Sequence, residues 1–250
     1  MLRVLTTSMS LVLLTACATH PKPIASRPVI KRIAVIPASD PRWYSFENAT
    51  PPVGYPFQFW VNKIDSHSKA KLFNDKVNAQ PTTLGADFTA EVVAALRNYG
   101  FTVQILDGIK RPPDDPDNID YDKVSTDADA ILHLWISEAG LYSSHMSRDY
   151  IPRVNASGKL FVKGREDDVY DEEIDYGVDA KKGKDWAILP DAKFAYRSFD
   201  AVMSNIDDVR SAFATGALEI SKRMSDQINN AVNYPDAGQQ VQTHQRVQAQ

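Results

Sequence analysis

The sequence predicts an α/β domain: a mixed sheet of about five strands in the order β-α-β-(α)-β-β-β-α, with two long helices on one face. Three observations carry this expectation. A β-branched run at residues 30–36 (IKRIAVI) and an apolar run at 101–106 (FTVQIL) flank a helix-spaced stripe, the pattern of a βαβ unit. Three extended runs then follow between residues 130 and 176. The last patterned segment is a long amphipathic helix.

Each element has its own signal. Pro37 closes the first strand. Leu84, Phe88, Val92, Ala95, Leu96 and Tyr99 recur at helical spacing, Thr82 or Thr83 can cap that helix, and Gly100 stands where a left-handed residue ends one. Between strand and helix lies a long excursion, in which Pro41, Pro51, Pro52 and Pro56 should break any long helix. Residues 111–120 (RPPDDPDNID) form a turn-rich loop, with a short helical turn expected over 119–126. Residues 130–136 (AILHLWI) are too uniformly apolar for a half-exposed strand, so this strand belongs in the middle of the sheet and extends to Tyr142. Residues 154–163 and 169–176 read as a hairpin around Gly164-Arg165-Glu166-Asp167. Finally Val209, Phe213, Ala217, Ile220, Met224, Ile228 and Val232 make one stripe, with Asp207 and Asp208 at the positive end of the helix dipole and Ser204-Asn205 as its opening.

The amino terminus differs in kind. Arg3 precedes an uncharged aliphatic stretch from residue 4 to 14, too short to span a bilayer and of the length of a secretory h-region. Leu14-Thr15-Ala16-Cys17 follows directly and resembles the lipobox of bacterial lipoprotein signals. The resemblance implies cleavage before Cys17 and acylation of that cysteine. Ala18 stands where the inner-membrane retention signal has Asp, which favours the periplasmic face of the outer membrane. One acyl chain holds only marginally, at about 0.8 kcal/mol per buried methylene, whereas the three of a lipoprotein make the anchor permanent. Residues 1–16 are then the signal peptide, 17–29 the acylated cysteine and a proline-rich tether, 30–234 a single periplasmic α/β domain and 235–250 a Gln-rich disordered tail. Extended as polyproline II, the tether reaches roughly 35–40 Å from the membrane.

Composition narrows the function classes. The 28 basic against 32 acidic residues lack the bias of a general nucleic-acid binder. A single cysteine excludes an intrachain disulfide and a multi-cysteine zinc site, and its acylation leaves no thiol for catalysis. No metal or cofactor is expected.

The element order, opening on KRIAVIP and carrying ADAILHLWI and then SGKLFVKGREDDVYDEEIDYG, resembles the periplasmic lipoprotein domains related to the CsgG curli-secretion lipoprotein and the TolB amino-terminal domain. That resemblance implies assembly with envelope proteins, homo-oligomers included. The aromatic excursion departs from the pattern, and hairpins able to form a CsgG-type pore are missing.

Four groups compete as functional residues. His133 lies in the most apolar strand and reads as a hydrogen-bonded core or sheet-face histidine. His145, with Ser143, Ser144, Ser147 and Asp149 nearby, would serve a hydrolase or small-ligand binder only if the groups converged beside an oxyanion hole, and no G-x-S-x-G elbow is present. Residues 164–179 hold eight carboxylates without calcium-loop spacing, so a charged hairpin face outweighs a metal site. Trp43, Tyr44, Phe46, Tyr55, Phe57, Phe59 and Trp60 crowd one short stretch. There a satellite core under the loop competes with a partner contact, whose candidates are Trp43, Tyr44, Phe57, Phe59 and Trp60. The expected role is a non-enzymatic assembly or accessory subunit of an envelope complex.

Overall fold

The computed structural model describes residues 29–48, 56–112, 115, 117–143 and 149–234. The domain is a mixed α/β structure with strands β1 (Arg32–Ile36), β2 (Ser45–Asn48), β3 (Thr102–Ile105), β4 (Ala130–Ser143), β5 (Tyr150–Phe161), β6 (Asp168–Gly177) and β7 (Ala187–Ile188). Among the described residues four α-helices accompany them: α1 (Pro56–Val77), α2 (Leu84–Asn98), α3 (Phe199–Ser204) and α4 (Ile206–Asn233). Side chains of α1 are described from residue 67 onward.

The seven strands form one sheet in the order β3-β1-β4-β5-β6-β7, with β2 also on β4. β4 is its centre, as its uniform apolarity requires. β1 runs parallel to β3 and to β4, pairing Ile33 with Ala130 and Ile36 with His133. β2 joins the far end of the same β4 edge, Ser45 opposite Gly140. β4, β5 and β6 form an antiparallel meander, and Gly164 at φ +83 supplies the left-handed residue of its β5–β6 turn.

One face of the sheet carries the main core. Phe88, Val92 and Leu96 of α2 and Phe213, Ile220 and Met224 of α4 pack on Val35, Leu132, Leu134, Val154 and Leu160. The expected pair of long helices on one face is therefore present. On the other face the β3–β4 connection lays Ile119 and Val124 over Ala34, Ile36 and Ile131.

Two expectations fail. The proline-rich excursion contains a 22-residue helix. Pro56 does not interrupt it but starts it, at a position where the missing N–H costs nothing and the fixed φ already suits a helix. The sheet also gains β2 and β7, only four and two residues long and too short to leave a periodic signal.

The cap of α2 is only partly local. Of the two threonines expected to cap it, Thr83 makes no side-chain cap bond, while Thr82 Oγ1 accepts from the Leu84 N–H at 3.4 Å. The Gly85 N–H instead donates to Asp40 Oδ1 at 2.7 Å, so the loop after β1 stoppers the helix.

Candidate functional site

The aromatic excursion divides between surface and core. Trp43 is 53% exposed. Tyr44, a candidate for partner contact, is an interior residue: it is 2% exposed and stacks on Phe213 at 5.2 Å. Asn74 clamps its backbone from α1, accepting from the Tyr44 N–H at 2.7 Å and donating to its carbonyl at 2.8 Å. The Tyr44 hydroxyl lies 2.9 Å from Thr82 Oγ1. Phe46 is also buried, against Phe73, Tyr150 and Phe199. Tyr44 and Phe46, two residues apart at the start of β2, point to the same side as extended backbone requires, while Trp43 lies in the bend just before the strand. The side chains of Phe57, Phe59 and Trp60 on α1 lie outside the described residues, as do Tyr55, Cys17, the tether through residue 28 and the tail from 235.

His133 is the hydrogen-bonded core histidine its strand implies. It is 1% exposed, its Nδ1 lies 2.8 Å from the Tyr121 hydroxyl, and its ring rests 5.0 Å from that of Trp135. Burial, reinforced by the nearby Arg111 charge, pushes the imidazole down to about 4; it is therefore neutral through the physiological range. Its Nε2 finds no partner among the described residues. His145, Ser144 and Ser147 lie outside the described residues.

The acidic hairpin is less solvated than its composition suggests. On the face away from the helices, β5 supplies matching groups to β6 and its neighbours. Lys159 lies 2.7 Å from Asp168 and 3.2 Å from Asp171. Ser157 donates to Glu173 at 3.2 Å, and Ser137 also donates to that carboxylate. Arg153, its side chain 12% exposed, meets Asp179 at 2.6 Å, Glu138 at 2.7 Å and Glu47 at 3.7 Å, and its guanidinium stands 4.9 Å over the Tyr142 ring. It ties together β2, β4, β5 and the segment after β6. Asn155, opposite Asp175, donates to Asp179 at 3.1 Å. Burial, then repulsion from Glu173 and Asp179, lifts Asp175 to about 6. Among the described residues no group of three His, Cys, Asp or Glu is placed to hold a metal ion.

A cleft of about 490 Å³ lies at the carboxyl ends of β1 and β3. Ile109, Pro112, Ile119 and Val124 give it apolar walls, and Lys110 and Arg111 line it with charge. Arg111 donates to the Pro37 carbonyl at the end of β1 and faces Asp117 at 3.6 Å. Lys163 braces the far wall by donating to the Val124 carbonyl at 3.1 Å. No sequence motif marks this cleft, because its wall is made by turn residues that meet only through the β3–β4 crossing. Arg153 did leave a trace: it is one of only two charges in IPRVNASGKLF.

No helix among the described residues is long and apolar enough to cross a membrane. No family model and no curated protein matches the chain. Among solved structures, a Xanthomonas campestris protein of family DUF330 is similar at 11% identity and a TM-score of 0.38, over 89% of this chain and 93% of that one. A hypothetical protein of Chlamydia trachomatis is similar at 11% identity and a TM-score of 0.37, over 82% and 98%. A lipoprotein of Neisseria meningitidis is similar at 14% identity and a TM-score of 0.29, over 71% and 95%.

Proposed function

We propose that this chain is a lipid-anchored envelope protein, held through Cys17 at the periplasmic face of the outer membrane, and that it serves an envelope complex by docking rather than by catalysis. The observation that carries the proposal is Leu14-Thr15-Ala16-Cys17 placed directly behind a short h-region. The resemblance to CsgG- and TolB-type domains leads to the same expectation of assembly with other envelope proteins. Docking is further supported at Trp43. Its neighbour Tyr44 is fixed by Asn74 and Phe213, so the exposed indole is presented from a backbone already ordered, and a partner gains its area at little entropic cost.

Two arms test this. Metabolic labelling with a clickable fatty acid should mark the wild type and leave Cys17→Ala unmarked; equal labelling overturns the anchor. A photocrosslinking residue at position 43 of the full acylated chain should give a discrete product in cells that one at Leu189, also exposed, does not. Trp43→Ala should lower recovery of that same product while circular dichroism stays native. Identical products from both positions overturn docking through Trp43.

A further inference from the structure

We infer that the cleft at the carboxyl ends of β1 and β3 binds a small amphipathic anion, a carboxylate, sulfonate or phosphate carried on an apolar body. The chain leaving β1 turns toward the helix-bearing face, where Ala38 joins the core and Asp40 accepts from Gly85 at the start of α2, before it goes on to β2 and α1. The connection leaving β3 runs over the opposite face, where Ile119 and Val124 cover Ile36 and Ile131. Adjacent parallel strands whose outgoing segments part to opposite faces leave room for ligands beyond their carboxyl ends; here the cleft is lined wholly by the β3–β4 connection and is tied to the end of β1 by Arg111 on the Pro37 carbonyl.

The lining sets the chemistry. The cleft, at about 490 Å³, falls in the range of small-molecule sites, roughly 300–1,000 Å³. Ile109, Pro112, Ile119 and Val124 offer an apolar surface for a ring or short chain. Lys110, Arg111 and Lys123 line the same space against one lining carboxylate, Asp120. Asp120 is engaged by Lys123 at 2.6 Å, and Arg111 faces Asp117. Lys110 is exposed and forms no ion pair with a described residue, so its ammonium is the charge left for an incoming anion. The walls are held by Arg111, which reaches from the lining to the Pro37 carbonyl, and by Lys163, which bonds the Val124 carbonyl. A site braced in this way exists before its ligand arrives.

The probe is 2-naphthalenesulfonate, with 2-naphthylmethanol and 2-naphthylmethylammonium as the neutral and cationic counterparts. The full acylated chain is held in zwitterionic nanodiscs, and empty nanodiscs are subtracted. Saturation-transfer NMR should show the sulfonate binding, and Lys110→Glu should weaken it by at least about tenfold. Lys222→Glu, an identical charge change on the remote α4, should alter it by less than about twofold. The alcohol should bind more weakly than the sulfonate, and the ammonium most weakly. The inference is overturned by absence of sulfonate binding at about 5 mM, by equal losses in the two variants, or by tighter binding of the cation. None of these results bears on Cys17 or Trp43.

Discussion

Arg153 and Asp179 meet at 2.6 Å across the outer face of the sheet, with the arginine side chain 12% exposed. The pair joins β5 to the segment after β6, and Glu138 and Glu47 bring in β4 and β2. Removing the cation leaves three carboxylates facing each other, each a third to a half exposed, so water screens part of the repulsion and the loss is about 1–2 kcal/mol, between that of a surface pair and that of a buried one. Arg153→Ala should therefore lower the unfolding free energy by that amount, seen as a lower urea midpoint with an unchanged slope. Arg153→Lys should recover only part, since an ammonium cannot serve three directions with a planar fork. A midpoint unchanged in Arg153→Ala would show the network to be energetically idle.

His133 predicts acid sensitivity. Its folded value of about 4 lies below the ordinary 6.5, so the unfolded chain binds the proton more tightly. The stability this group contributes is complete above pH 6.5 and is lost as pH falls toward 4, by an amount on the order of 3 kcal/mol. The imidazole resonances of His133 should stay in the neutral position until about pH 4. Titration near 6.5 would contradict the buried environment.

Asp175 works in the opposite direction. Its folded value of about 6 lies above the ordinary 3.8, so protonation favours the native state. That contribution is present below pH 3.8 and is lost as pH rises through 6. Compared with wild type, Asp175→Asn should gain relative stability at pH 7.5 over pH 4.5 in thermal melts, since the amide carries no charge to repel Glu173 and Asp179. A wild-type-minus-variant difference that is flat with pH would place Asp175 in water.

Gly140 decides whether β2 can dock. A Cβ there would stand 2.1 Å from the Ser45 carbonyl oxygen, a backbone atom that cannot step aside without breaking the β2–β4 ladder. Gly140→Ala should cost more than about 2 kcal/mol, and amide exchange at residues 45–48 should speed up ahead of the rest of the sheet. Uniform exchange would mean that the strand pair relaxes as a body.

What the sequence made legible was whatever repeats along the chain. The stripe from Val209 to Val232 became α4, the stripe from Leu84 became α2, and the runs on either side of Gly164 became the β5–β6 pair. Elements held by distant partners were not legible. β2 has four residues, and its place is given by Gly140, almost a hundred residues away. α1 was hidden by a proline whose effect depends on whether it falls at the first turn or inside. At the candidate sites the residue types were visible and their depth was not. Trp43 and Tyr44 are adjacent and chemically alike, yet Trp43, in the bend before β2, is solvent-facing and Tyr44 is stacked on Phe213. The cleft at Lys110 is lined by turn residues of the β3–β4 connection, whose meeting no local pattern encodes.

β1 and β2 lie in line along one edge of the fourteen-residue β4. The start of β1 is level with Ala130, while Trp43 stands just before the Ser45–Gly140 pair. At about 3.3 Å per residue, the two points are roughly 25–30 Å apart. β4 therefore acts as a rigid spacer between the start of the sheet and the place where the chain shows its indole. On the proposed lipid anchor, lengthening or shortening residues 17–29 would change the height of the domain above the lipid but not this internal interval. A partner gripping both the bilayer and Trp43 would have to be built to that measure.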